Sequence, residues 1–371
     1  MTFSRRKPHR RVVFFYLLPF TFLLLLWSSC EQNTTQPPPP AGPDTTSHNF
    51  TWQVTHVGDL TSSLADVFAI AEDDIWAVGK IQIEDSAGND IVYNAVHWNG
   101  QEWEPQRIRT NSCGGVLFPP IRSVFSFSNA NIFFAHIDGS ITIYDGNSFI
   151  SDCRMIQKLN GSDNKMWGIS SSDLYVVSNS GAIVHYDGSN WQKQESNTTV
   201  RLLDVWGNTN GSTVWACGYA SNNSESILLR SDGSQWQTVW QWQFQQGASD
   251  SAYVGLLSSL WAFDPDSLII VSGDGVFRQD IANNGPPRKE KVSLGAFPNN
   301  VRGSAPNNIF IACFNGTIWH YNGATWRTYP ELHNPNWVFR SIAVLEDKVV
   351  AVGGDFSQGI QRDIIVTGLR P

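Results

Sequence analysis

Three histidines fall at one place in three copies of a repeat: His97 in VHW, His185 in VHY and His320 in WHY. Imidazole is a common metal ligand. A metal needs several donors converging within bonding distance, and one residue per repeat does not converge. The repeat itself accounts for these histidines, so no metal and no cofactor is expected. Short polar residues form a second series. Asp73-Asp74 precedes a strand-like run, and the matching places hold Asn131, Ser172-Asp173, Asp266 and Asn307-Asn308. Side chains of this length bond their own backbone in tight turns, which fits better than paired-carboxylate acid–base chemistry. The chain contains no H-E-x-x-H, G-x-S-x-G or phosphate-loop pattern. A third series is aromatic. Phe68, Phe125, Trp167, Trp206 and Trp261 share one slot, which Arg302 and Ala343 occupy in the last two copies. Aromatic faces stack on sugars and cations, and Arg grips carboxylates. Trp206, Trp261 and Arg302 are therefore candidate binding residues of a central funnel. Packing between adjacent repeats is the competing use of the same rings.

The scaffold for these residues is written in the repeat. From Ala65 onward, a DVW-like run, a DIWAVG-like run, an I-x-H-Y-D-G run and a Trp recur in that order. The Val place of DVW is held by Val67, Val124, Met166, Val205, Leu260, Val301 and Ile342, at spacings of 57, 42, 39, 55, 41 and 41, a base period near 41 with insertions in the two longer intervals. That period suits a four-stranded propeller blade of ~40–45 residues. In the third copy MWGIS, DLYVVS, AIVHYDG and NWQKQE read as strands a to d, with the alternation of half-buried strands. Asn99-Gly100, Asp145-Gly146, Asp187-Gly188, Asp232-Gly233 and Asn322-Gly323 predict positive-φ hairpin turns between strands c and d. The seventh copy ends one strand short, at IIVTGLRP. FTWQVTHVG (Phe50–Gly58) supplies the missing strand, with Trp52 in the place of the strand d Trp. The predicted fold is all-β: seven four-stranded blades over residues 49–371, closed by an N-terminal strand that hides the edges.

These copies resemble the bacterial propeller superfamily that groups WD-repeat-like, YVTN-like and BNR/sialidase-like repeats. The resemblance runs from Phe50 to Pro371 and implies the fold. Function stays open, since propellers host unrelated activities. The sialidase Asp-box S-x-D-x-G-x-x-W is not reproduced: Ser231 to Trp236 reads S-D-G-S-Q-W.

The N-terminus reads as an export signal. Arg5, Arg6, Lys7, Arg10 and Arg11 precede an apolar stretch from Val12 to Trp27, followed by Ser28-Ser29-Cys30. Residues 1–29 resemble a lipoprotein signal peptide with Cys30 as the lipidated residue, although Trp27 replaces the usual Leu. An uncleaved signal-anchor helix is the alternative, for which the stretch is short. Residues 30–48, with Pro37 to Pro40, form a semi-rigid spacer. Both alternatives place the rest of the chain outside the cytoplasm, in the cell envelope. The net charge of −8 argues against nucleic acid as partner. Among the other cysteines, Cys217 and Cys313 sit in apolar strands, and Cys113 and Cys153 are a possible disulfide pair.

The longest links, Lys80–Val92, Arg109–Pro120, Ala220–Glu225, Gln241–Val254, Pro330–Val338 and Gly353–Gln361, all join strands b to c or d to a, and so share one face. Variable loops on a rigid scaffold are where binding usually resides. Trp240, Trp242, Phe244 and Trp337 lie in or beside these links and join the candidate binding residues. The expected function is a monomeric, membrane-anchored, extracytoplasmic binding module for a protein or glycan partner. Alternatives are a glycan-active hydrolase or lyase, or an assembly factor for a membrane complex.

Overall fold

The computed structural model describes residues 44–59, 61–110, 117–243, 255–263, 267–281 and 286–371. Cys30, Cys113, Phe244 and the whole apolar N-terminal stretch lie outside the described residues.

Seven four-stranded antiparallel sheets surround a common axis, as the repeat predicts. Their innermost strands a are Ser63–Ala71, Ile121–Ser128, Asp163–Ser170, Leu202–Gly207, Leu257–Phe263, Pro298–Ala305 and Trp337–Val344. Blade seven takes its outer strand from the N-terminus. Thr51–Val57 pairs antiparallel with Arg362–Leu369, in the register Trp52↔Gly368. The Trp52 ring lies where a Cβ on residue 368 would stand, 2.6 Å away, so only glycine fits opposite it.

The outer half of the repeated phrase is a hairpin device. The last ring of strand c meets the first ring of strand d across the turn: Trp98–Trp103, Tyr144–Phe149, Tyr186–Trp191 and Tyr321–Trp326, with centroids 4.5–5.6 Å apart. The turn glycines Gly100, Gly146, Gly188, Gly233 and Gly323 have φ between 88° and 100°, as the Asn-Gly and Asp-Gly pairs require. Tyr144, Tyr186 and Tyr321 hydroxyls donate to the carbonyls of Gly146, Gly188 and Gly323.

The histidine series and the short polar series explain each other. His97 Nε2 lies 2.9 Å from Asp74 Oδ1, His185 Nε2 2.7 Å from Asp173 Oδ1, and His320 Nε2 3.1 Å from Asn308 Oδ1. Each imidazole on strand c thus ties down the first residue of strand b in its own blade. Asp74, Asp173 and Asn308 bond an imidazole across the sheet and not their own turn backbone, which corrects the expectation from sequence.

The core lies between blades as well as within them. One apolar cluster runs from Phe125 and Phe133 of blade two to Leu229 and Trp236 of blade four. Cys217 and Cys313 are free thiols sealed inside strands, and burial pushes both thiol pKa values up. Cys153 is disulfide-bonded.

Candidate functional site: a cationic mouth over a barred channel

The same irregularity recurs in all seven strands a. Pairing with strand b slips between Leu64 and Asp66, Ile121 and Ser123, Asp163 and Lys165, Leu202 and Asp204, Leu257 and Ser259, Pro298 and Asn300, and Phe339 and Ser341. A bulge leaves one residue unpaired and re-aims its side chain. The bulged residues are Ala65, Arg122, Asn164, Leu203, Ser258, Asn299 and Arg340. All seven line one cavity of about 350 Å³, on the face where strands a begin. This is the face of the long links. The size is in the range of ligand pockets.

The residue after each bulge builds a polar belt beneath this mouth. The Val124 N–H donates to Asp66 Oδ2 (3.1 Å), Met166 N–H to Ser123 Oγ (3.2 Å), Leu260 N–H to Asp204 Oδ2 (3.1 Å), Val301 N–H to Ser259 Oγ (3.1 Å) and Ile342 N–H to Asn300 Oδ1 (3.1 Å). Asn164 Nδ2 donates to Leu202 O, and Ser341 Oγ to Asp66 Oδ1. Every blade is therefore bonded to the next around the full ring. The belt was legible as the Asp of DVW and its Ser, Asn and Lys counterparts, a column that the sequence reading passed over. Lys165 completes it differently: its ammonium reaches across to Asp66, an ion pair of two nearly buried side chains. That bar separates the mouth from an inner chamber of about 200 Å³ lined by Phe68, Phe125, Met166 and Trp206.

The candidate residues named from sequence divide between these levels. Arg302 is 6 % exposed and fully committed. Its guanidinium makes a two-pronged contact with Asp204 (2.8 and 2.9 Å), donates to Leu260 O and Val301 O, and lies 4.4 Å over the Trp206 ring. This corrects the expectation of a free ligand-gripping Arg with no core role. Trp206 lines the inner chamber, as a funnel residue would, but it and Trp261 also face elsewhere. With Trp167, Phe263 and Pro306 they line a separate cavity at the far ends of strands a, on the face of the tight turns. Trp167 and Trp261 are nearly buried and press on the backbone of the next blade at Gly207 and Gly303, where a Cβ would come within 2.2 and 2.6 Å of the rings. Packing between blades is their visible role. Trp240 and Trp242 belong to strand d of blade four (Trp236–Gln243), opposite Leu228 and Ser226. Trp337 opens strand a of blade seven and packs beside Phe339. The Lys80–Val92 insertion is a paired extension of strands b and c rather than an open loop.

Sequence reasoning missed Arg122, Arg201 and Arg340, which line the mouth with Lys165, against Asp66 as its acidic residue. Arg340 donates to Leu64 O and Gln361 Oε1, both at 3.0 Å, and its proton affinity is lowered by burial, against the attraction of Asp363 and with Arg122 adding repulsion. Arg201 lies 4.9 Å over the Tyr219 ring. Tyr219 and Phe314 also line the mouth, joined through Phe297 into an aromatic wall.

Two carboxyls beside the mouth are out of place. Asp163 fills a slot held elsewhere by Leu64, Ile121, Leu202, Leu257, Pro298 and Phe339. It is completely buried, and neither oxygen has a hydrogen-bond partner among the described residues. Burial raises its pKa to about 8, and that of Asp363 to about 7. The folded chain holds both protons more tightly than the unfolded chain, where Asp titrates near 3.8. Their contribution to stability is therefore complete below about pH 4 and is lost as pH rises through 7 and 8. Buried His136 and His320, whose pKa values are lowered to about 4 and about 3 by burial, add stability as pH rises to about 6.5, so Tm is expected to fall from about pH 6.5 to about pH 8.5. Asp163→Leu, which copies the other blades, should raise Tm at the alkaline end by at least about 2 °C and flatten the slope. A Tm that rises with pH over this range would contradict the assignment.

No family model and no curated protein matches the chain. Solved structures do. The chain superposes on "YCF48 bound to D1 peptide" with a TM-score of 0.61 and 18 % identity, covering 89 % of this chain and 100 % of that one. YCF48 from Cyanidioschyzon merolae gives a TM-score of 0.59 at 14 % identity, over 86 % and 98 % of the two chains. The WD40 β-propeller domain of Doa1 gives 0.57 at 12 %, over 87 % and 98 %. The likeness is one of fold. The chain is a seven-bladed β-propeller.

Proposed function

We infer that the protein is an interaction module of the cell envelope, a lipid-anchored ring that holds a protein partner at the mouth on its long-link face. The observation that carries this reading is the mouth itself. Seven bulges turn side chains into one cavity, with guanidinium groups and aromatic rings at its wall and a barred floor below. Rigid scaffolds that present Arg and aromatic side chains together suit protein recognition. The YCF48 propeller with a bound peptide supports a protein as the partner class. Two of the rings that suggested a glycan ligand, Trp167 and Trp261, are spent on packing between blades, and the others lie below the mouth or on the opposite face, which favours a protein over a glycan at the mouth.

The anchor is read from Cys30 and the residues before it. The described chain begins against the tight turns of blade six: Thr46 N–H donates to Asn322 O, and Thr46 Oγ1 to Asn307 O. That face is opposite the mouth. Cys30→Ala is expected to abolish lipid attachment and shift the mature protein out of the membrane fraction, or to leave an unprocessed precursor. A Cys30→Ala protein of mature length that still fractionates with membranes would contradict the anchor.

A further inference from the structure

We propose that the mouth receives an acidic peptide segment, with two or more Asp or Glu side chains spaced along it and a bulky apolar residue beside them. This deepens the interaction reading above and rests on it.

The charge at the mouth is unbalanced in a particular way. Lys165 is neutralised by Asp66. Arg122, Arg201 and Arg340 remain, on a chain whose net charge is −8. Arg122 is exposed and makes no hydrogen bond or ion pair among the described residues; its interactions are electrostatic, with buried Asp163 and with Arg340. Arg201 Nε is buried without a partner, and its ring contact with Tyr219 leaves the guanidinium short of acceptors. Arg340 uses two of its donors on Leu64 and Gln361. Three guanidiniums without an ion pair among the described residues, two of them facing only the buried Asp163 and Asp363, whose carboxyls hold their protons, are complementary to an anion.

Their placement selects the kind of anion. They project from blades two, four and seven, around the ring rather than side by side. A single carboxylate satisfies one of them, whereas a segment carrying several satisfies more. The gap between them on blades four to six is filled by Tyr219, Phe297 and Phe314, and Phe314 is 38 % exposed. An apolar side chain of the ligand covers that wall. The floor is barred by Lys165 and Asp66, so the ligand lies across the mouth and does not thread the channel.

The test uses the full chain in detergent. A random dodecapeptide display library is selected against it, and the enriched peptides are synthesised for fluorescence anisotropy. Enrichment of Asp and Glu next to aromatic or aliphatic residues is expected. Affinity should drop roughly 10- to 100-fold when the acids become Asn and Gln, and by a similar factor in the Arg122→Gln/Arg201→Gln protein, since each loses charge-assisted bonds. Binding should also weaken between about 50 and about 500 mM salt. The double variant should stay folded and melt within a few degrees of the parent, because neither guanidinium makes a hydrogen bond or ion pair among the described residues and Gln keeps part of each stem. Three results overturn the proposal. Neutral peptides that bind parent and double variant equally would remove the acidic ligand but leave the interaction reading. Loss of binding on amidating the peptide C-terminus, with the internal acids dispensable, would replace the segment with a chain end. Enrichment of no peptide would count against both the proposal and the reading beneath it.

Discussion

Deletion of Phe50–Gly58 is expected to leave the chain aggregated, or unfolded at temperatures where the full chain is stable. The deleted segment contains the strand Thr51–Val57, whose seven residues all pair with Arg362–Leu369. Without it, the last strand becomes an open edge that can pair with another copy. The loss is not confined to hydrogen bonds. Trp52 lies 4.6 Å from Tyr329, and Phe50 makes edge contacts with Phe310, His320 and Tyr329, so blade seven is also bound to blade six through these rings. Phe50 and Trp52 are half-buried, so each ring contributes part of the ~3–5 kcal/mol that truncating a buried aromatic costs, and the deletion removes both together with the strand. Size-exclusion chromatography and thermal unfolding followed by circular dichroism read the outcome. A monodisperse deletion protein with an unchanged Tm would mean that the ring closes without this strand.

The second large effect is expected at Arg302. Arg302→Ala should destabilise the fold by about 3–5 kcal/mol, because it leaves the Asp204 carboxylate buried without its cation. Asp204 is 1 % exposed and also accepts from Ser259 and from the Leu260 N–H, so the damage falls on the junction of blades four and five. Arg302→Met is the informative companion. It keeps the stem over Trp206 but removes the charge, and paired with Asp204→Asn it should recover part of the loss. Denaturant titration measures all three. An Arg302→Ala protein as stable as the parent would show that the guanidinium carries no structural load.

The architecture was legible because the repeat is local. Strand content, the Asp-Gly turns and the Trp of each hairpin are set by neighbouring residues, and even ring closure was visible as one strand missing at Pro371 and one spare at Phe50. The site was harder to read for a physical reason. Which strand a residues face the mouth is decided by a bulge at one position in each blade. A bulge shifts the two-residue alternation of a strand, so the residues turned to the mouth are not those of the column read from sequence, whose Trp206 and Arg302 line the chamber below and whose Trp261 packs on the next blade. The mouth is lined instead by the column containing Arg122 and Arg340. Arg302 illustrates a second limit. An Arg in an aromatic slot looks free until its partner is known, and Asp204 is 98 residues away in the chain. Asp163 was legible in principle, as the one acid in a column of apolar residues, but that column emerges only once the blades are aligned by structure.

The central claim is that partners are held at the mouth on the long-link face. Site-specific photo-crosslinking in living cells tests it most directly. A benzophenone amino acid is placed at Leu203 or Phe314 on the mouth, and at Ile169 or Thr209 beside the cavity on the tight-turn face. The account predicts discrete protein adducts from the first pair, lost when Arg122 and Arg201 are changed to Gln, and none from the second. Adducts from Ile169 and Thr209 alone would contradict it and move the binding site to the opposite face of the ring.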